Sequence, residues 1–324
     1  MQYRRLGRSG LTVSVVGLGC NNLGRPGTAT LEQEGTDAVV HAALDAGVTL
    51  FDVADTYGAT AGLSEERLGA ALGARREDVV LATKFGMDAG GANGPDLGAR
   101  GSRRYIVRAV EASLRRLGTD WIDLYQFHTP DDATPIEETL SALDDLVRSG
   151  KVRYVGHSNR AGWQIAEAEF VARQLGTERF ISAQNHYNLL DRRAELEVMP
   201  AARAYGLGVL PYFPLANGML TGKYSAGSAP EGSRLSHTRT HMVRDADLEQ
   251  LRRFGDFARE RGLHEVDLAF SWLAAQEPVA SVIAGATRPE QVRQNAEAVR
   301  WVPTHRERAE LDEIFPAVPK VALF

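Results

Sequence analysis

Short apolar runs alternate with longer helical stretches along this chain. "SVVGLG" (14–19) precedes a helical pattern over 31–46, "TLFDVA" (49–54) one over 64–73, and "DVVLATKFG" (78–86) one over 103–117. "WIDLYQFHT" (121–129) precedes 136–149, "VRYVGHSN" (152–159) precedes 162–175, and "FISAQNHYN" (180–188) precedes 193–205. "GLGVLPYFPL" (206–215) is the seventh run, and "VASVIAGAT" (279–287) the eighth, with its helix over 289–299. Helix punctuation agrees with these bounds. Ser64 and Ser102 suit N-caps, Glu65 and Glu66 a first turn, Pro289 the first helical position, and Gly150 and Gly176 the residue after a helix end.

Eight strand–helix units in one chain predict an α/β fold of a particular kind, a closed parallel (β/α)8 TIM barrel rather than an open sheet. The opening "MQYRRLGRSGLTVS" carries a "GRSG" turn between two short alternating runs and predicts an N-terminal β-hairpin. Extra helices are predicted near the C-terminus, over 246–261, 264–276 and 304–315, before the apolar tail "VPKVALF". Residues 216–245 are glycine-rich and irregular, long enough to predict a functional loop. No linker interrupts the composition, so one domain over 1–324 is expected.

A net charge of −5 and a pI near 5.9, without a Lys/Arg-rich run, argue against nucleic acid or an anionic membrane as the main partner. No stretch of about 18 consecutive apolar residues occurs to span a membrane. Cys20 is the only cysteine, which excludes an intrachain disulfide and suits a cytoplasmic location. "MQYRRLGRSG" holds no apolar run of the kind a signal peptide needs.

If the units form a barrel, chemistry belongs where strands end and loops begin. Those ends read Asp52 with Tyr57, Lys84, His128, Ser158-Asn159, Gln184 with Asn188, Tyr212, and Gly285 with Thr287-Arg288. Asp52 directly follows Leu50-Phe51, and a buried acid costs several kcal/mol, about 3–5 by one measure, unless it is paired. Taken singly, each of these residues is as well explained as a solvated acid, a surface lysine or a satisfied core histidine. Four ionisable groups at the ends of three successive strands are not.

These residues carry a resemblance. "FDVADTYG", "LATKFG", "LYQFHTPD", "VGHSN", "AQNHYNLL", "PYFPLANGMLTGKY" and "IAGATRPEQVRQN" occur in the order found in the aldo-keto reductase superfamily, and together they cover the chain from near residue 3 to about 299. The resemblance implies a (β/α)8 barrel that reduces aldehydes and ketones with a nicotinamide cofactor, usually NADPH/NADP+, and without metal. It implies that Asp52, Tyr57, Lys84 and His128 are catalytic. Physically, a tyrosine holds its proton at neutral pH, and a nearby ammonium stabilises its phenolate and lowers its pKa. Lys84 is expected in that role, with Asp52 as its partner and His128 orienting the carbonyl oxygen. Ser158, Asn159 and Gln184 would bond the nicotinamide carboxamide, and Tyr212 would stack on the ring. Gly19, Cys20, Asn21, Phe213, Leu215, Gly218, Leu220, Gly222 and Lys223 extend the cofactor site, and exposed N–H groups there would hold the pyrophosphate. Gly285, Thr287, Arg288, Gln291 and Asn295 complete it at the adenosine end, with Arg288 forking onto a 2′-phosphate. Two departures stand out: Val53 replaces the commoner threonine, and Gly285-Ala286 replace Lys-Ser, which leaves Arg288 as the main 2′-phosphate contact.

A small-molecule carbonyl substrate is expected, with Phe85, Met87, Phe127, Thr129, Asn217 and the 225–245 loop as pocket candidates. Whether the 213–245 loop orders on cofactor binding, and the oligomeric state, stay open. An alternative function is a regulatory subunit that keeps barrel and cofactor but acts by binding a partner, as potassium-channel β subunits do. Isomerase or aldolase chemistry leaves the amide and aromatic contacts unexplained. "GLGCNN" (17–22) starts like a dinucleotide fingerprint, yet Asn22 stands in place of the third glycine. His237 and His241 are spaced to share a helix face but sit in a polar loop without a metalloprotease glutamate, so a surface role is expected. Asp131-Asp132 are read as a solvated loop capping the next helix, and Cys20 as a buried small hydrophobe.

Overall fold

The computed structural model describes residues 1–224, 227–231 and 234–319. Strands β1 (Tyr3–Arg5) and β2 (Thr12–Ser14) pair antiparallel, Tyr3 opposite Ser14, as the predicted hairpin. Eight parallel strands follow: β3 (Val16–Gly19), β4 (Leu50–Asp52), β5 (Val80–Phe85), β6 (Ile122–Phe127), β7 (Val152–Ser158), β8 (Ser182–Gln184), β9 (Gly208–Val209) and β10 (Val282–Gly285). They pair in chain order, and β10 pairs with β3. Between β9 and β10 only isolated bridges, Val209 to Val279 and Tyr212 to Ile283, close the ring. The result is the (β/α)8 barrel.

Strand alternation places the core on both sides of the sheet. Leu50, Ala82, Leu124, Leu210 and Ile283 point to the axis and pack with Leu6 and Val13, so the hairpin plugs one end of the barrel. Phe51, Leu81, Tyr125 and Val155 point outward into the helix layer. At the other end the inward positions turn polar, reading Asp52, Lys84 and Gln126. The barrel's buried inward-facing ionisable groups thus sit at one mouth.

Helices Arg103–Leu117 and Gly162–Leu175 run over the predicted spans, with the Ser102 hydroxyl accepting from the Tyr105 N–H, and Gly118 and Gly176 left-handed at the ends. The helices Leu248–Glu260, Glu265–Ala274 and His305–Ile314 are the expected additions. No helix among the described residues is long and apolar enough to cross a membrane.

Several local readings need correction. Ser64 does not cap its helix, which runs Leu63–Leu72 behind a left-handed Gly62; its buried hydroxyl donates to the Cys20 carbonyl at 2.6 Å. The stretch 193–205 divides into a 3-10 turn, Arg193–Glu195, and a helix, Val198–Tyr205. Pro200 explains the break, because a residue without an N–H is tolerated only in a helix's first turn. Asp131 does not cap the helix Ile136–Arg148, whose N-cap is Pro135. Its carboxylate instead accepts from Gly101 N–H (2.6 Å), Thr134 hydroxyl (2.8 Å) and Ala133 N–H (2.9 Å), tying two mouth loops together.

Within 216–245, 3-10 turns span Ala216–Thr221, and two short helices follow, Arg234–His237 and His241–Arg244. His237 and His241 therefore lie on separate helices rather than one face. Positions 225, 226, 232 and 233 of the expected pocket loop, the His237 side chain and the tail beyond 319 lie outside the described residues.

Candidate active site

The mouth of the barrel is built around one cation. Lys84, fully buried on β5, sits opposite Gln126 of β6 and next to Asp52 of β4. Its ammonium donates to Asp52 Oδ2 at 2.7 Å, to the Val53 carbonyl at 2.9 Å and to the Tyr57 hydroxyl at 3.4 Å. Asp52 Oδ1 accepts from the side-chain amides of Gln184 (2.8 Å) and Gln126 (3.1 Å), so both carboxylate oxygens are satisfied. Burial alone would push Lys84 down, but Asp52 and Tyr57 together hold it above the usual lysine value.

Tyr57 differs from expectation in one respect. Burial raises its hydroxyl above the ordinary phenol value, and Lys84 only partly offsets that. Lys84 does favour the phenolate, as read from the sequence, but desolvation is the larger effect and the phenol keeps its proton at neutral pH. His128 follows β6, with its ring edge-on to Tyr57 at 5.9 Å between centroids. Burial, and secondarily Lys84, lowers its pKa to about 3, so the imidazole is neutral; Nδ1 has no partner among the described residues.

A second polar set adjoins the first. Asn159 is left-handed, with φ of 59°, and its side-chain amide donates to the His128 carbonyl (2.9 Å) and to Ser158 Oγ (3.1 Å). The Ser158 hydroxyl donates to the Gln184 carbonyl at 2.7 Å, and the Tyr212 hydroxyl to Asn159 Oδ1 at 2.8 Å. His186 stacks on the Tyr212 ring at 5.4 Å. These groups come from β6, β7, β8 and the loop after β9.

A cavity of about 930 Å³ runs from this cluster to the N-terminus of the helix Pro289–Glu297. Asp52, Tyr57 and His128 line it. So do Gly19, Asn21, Ser158, Asn159, Gln184, Tyr212, Phe213, Leu215, Gly218, Lys223, Gly285, Thr287, Arg288, Gln291 and Asn295, together with Met87 and Asn217. Among the residues expected at the cofactor or substrate, Cys20, Leu220, Gly222, Phe85, Phe127 and Thr129 do not line it. Cys20 and Leu220 are buried in the core, where desolvation holds the Cys20 thiol well above its usual pKa. Phe85 and Phe127 face outward and stack on each other at 5.0 Å, because the alternation that turns Lys84 inward turns its neighbour out.

The structure adds residues that the strand-end reading missed. Gln126 holds Asp52 from the inward position two before His128, a spacing visible in the sequence once β6 is registered. Arg25, Thr56 and Glu231 also line the cavity. Behind Tyr57, Asp55 is buried; its Oδ2 accepts from Asn93 at 2.6 Å, while Oδ1 has no partner among the described residues. Arg116 donates to Asn93 Oδ1 (3.0 Å) and to Glu65 (2.7 Å), and the Thr83 hydroxyl also donates to Glu65. Burial, and then Glu65, raises the Asp55 carboxyl to about 8.

The cavity's donor set suits a long polyanionic cofactor. Lys223 and Arg288 line it with no carboxylate in ion-pair range among the described residues, and Arg288 is the N-cap of a helix begun by Pro289.

A (β/α)8 barrel with ionisable side chains gathered at the C-terminal ends of its strands has the architecture of a barrel enzyme. A sequence model of the Aldo/keto reductase family matches residues 15–315. A Bacillus subtilis protein named uncharacterized oxidoreductase YrpG is 39% identical over 98% of this chain and 96% of its own length. A probable voltage-gated potassium channel subunit beta of Oryza sativa is 37% identical over 94% and 92%. The L-glyceraldehyde 3-phosphate reductase of Escherichia coli K12 is 34% identical over 97% and 92%. The chain belongs to the aldo/keto reductase family, which makes it an oxidoreductase.

Proposed function

We propose that this chain reduces the carbonyl of a small aldehyde or ketone to an alcohol with NADPH. One observation carries the reading: the Lys84 ammonium lies between Asp52 and the Tyr57 hydroxyl, with a neutral His128 edge-on to that tyrosine, all at one end of a long cavity. Reduced nicotinamide supplies the hydride when bound. Tyr57 donates its proton as negative charge develops on the substrate oxygen, and the neighbouring ammonium stabilises the phenolate left behind. Asp52, fixed by Gln126 and Gln184, keeps Lys84 charged and in place. A neutral His128 would offer the carbonyl oxygen a second donor from Nε2 without competing as an acid.

Ser158, Asn159 and Tyr212 would hold the nicotinamide end. One N–H of the Gln184 amide is committed to Asp52, which leaves its second N–H and its oxygen for the carboxamide. Lys223 and the Gly218 turn would hold the pyrophosphate, and Arg288, Gln291 and Asn295 the adenosine 2′-phosphate and base.

The test is turnover, followed by loss of reduced-cofactor absorbance, with a panel of aldehydes that includes hydroxyaldehydes with and without phosphate. Tyr57→Phe should remove reduction by at least about 100-fold while NADPH binding stays nearly intact. Retention within about tenfold, or about 1.4 kcal/mol of barrier, would dismiss Tyr57 as the acid. In the same series Arg288→Ala should erase a preference for NADPH over NADH; equal binding of both by the unmutated protein would dismiss that role. The similarity to a potassium-channel subunit keeps a partner-binding role as the second reading, and it prevails if NADPH binds but no carbonyl in the panel is reduced.

A further inference from the structure

The barrel has a second cavity, about 630 Å³, at the end opposite the catalytic mouth. The hairpin, the turn before β9 and the segment between the helix Glu265–Ala274 and β10 form its walls. Six arginines line it: Arg4, Arg5, Arg8, Arg203, Arg300 and Arg308. The one acid in the wall is Glu277, which makes no ion pair among the described residues.

Arginines elsewhere in the molecule are commonly bridged, as Arg116 is to Glu65 and Arg192 to Glu195. In this wall only Arg300 is, through Asp267. Arg4 donates to the Ala274 and Val279 carbonyls, Arg203 to the Glu277 carbonyl and Arg308 to the Ala275 carbonyl. Those contacts use one nitrogen of each guanidinium and neutralise no charge, and a guanidinium has five N–H groups to place. The side chains of Arg5 and Arg8 make no hydrogen bond among the described residues and are exposed. Five of the six arginines in this wall are thus without an ion pair among the described residues, in a chain whose net charge is −5.

We propose that this cavity binds a phosphate-bearing small molecule with several negative charges. Guanidinium groups that line one cavity repel one another until an anion joins them, and phosphate oxygens match their fork geometry. The volume falls in the range of small-molecule sites rather than single-ion sites, and Leu207, Ala280 and the half-buried Trp301 supply an apolar wall for an organic portion.

The test compares the unmutated protein with the double variant Arg5→Gln/Arg8→Gln, using inorganic pyrophosphate and ADP as probes in isothermal titration calorimetry. Neither side chain holds a backbone group, so the variant is expected to fold, which its melting temperature without probe verifies. The catalytic cavity is identical in both proteins, so anion bound there cancels whether or not it is a cofactor site. The unmutated protein should bind one more equivalent of probe, or bind at least about tenfold more tightly, than the variant. Tighter binding of ADP than pyrophosphate would identify an organic ligand, and equal binding inorganic phosphate. Identical isotherms for the two proteins, or sulfate at matched ionic strength competing as well as pyrophosphate, would overturn the site.

Discussion

Asp52 and Asp55 leave the same strand three residues apart, both buried, and meet opposite surroundings. Asp52 has an ammonium at 2.7 Å and two amides on its other oxygen. Among the described residues Asp55 has one amide, no partner on Oδ1, and Glu65 as a like-charged neighbour; its carboxyl is raised to about 8. Depth of burial does not separate them. The number and charge of their partners does: one acid holds a cation in place, the other keeps its proton through neutral pH.

The contrast breaks most sharply at Lys84. Lys84→Met should leave Asp52 buried without its cation and lower stability by about 3–5 kcal/mol while removing carbonyl reduction. Denaturant unfolding and turnover check both effects, and an unchanged midpoint with full activity would refute the pairing. Next in size, Asn93→Ala removes the one donor to Asp55 and the acceptor of Arg116, and should cost about 1–3 kcal/mol. Because Asn93 anchors the glycine-rich loop between β5 and its helix, the same variant should expose that loop to limited proteolysis. Smallest at neutral pH is Asp55→Asn, which replaces a protonated carboxyl with an amide of the same shape. Its signature is a slope. Between the unfolded carboxylate value and about 8 the native state holds a proton that the unfolded chain has released, so Asp55 makes stability fall as pH rises, by up to about 1.4 kcal/mol per unit. The variant should lose that slope, and parallel unfolding curves for both proteins across pH 5–8 would contradict the protonated assignment.

Much of the site was legible because the barrel converts sequence position into place. Asp52, Lys84 and His128 close three successive apolar runs, and parallel register brings successive strand ends together, so their proximity followed from order alone. Tyr57 was legible through its motif and its distance from Asp52. Gln126 was not, since an amide inside the run "DLYQF" reads as a strand residue until the register shows which face it takes. Asn93 was hidden for another reason: "DAGGANGPD" has the composition of a free loop, and only the tertiary structure reveals the buried tether. Phe85 and Phe127 were misassigned because adjacency in sequence was allowed to stand for adjacency in space, which alternation forbids. The net direction of the Tyr57 pKa needed a burial that spacing cannot report.

The ring of strands has a clasp. β9 is only two residues long and meets β10 through isolated bridges, whereas β6 and β7 share a long ladder on the far side. The Val209 N–H donates to the Pro278 carbonyl, the Ala280 N–H to the Val209 carbonyl and the Ile283 N–H to the Pro211 carbonyl, and the joint carries Tyr212 and Ile283, both in the wall of the catalytic cavity. An opening at the clasp would widen the cleft and leave in place the β4–β5 pairing that holds Asp52 and Lys84. The molecule can therefore loosen its grip at one wall and keep its proton donor aligned at the other, a division of labour set by where the chain runs out of strand.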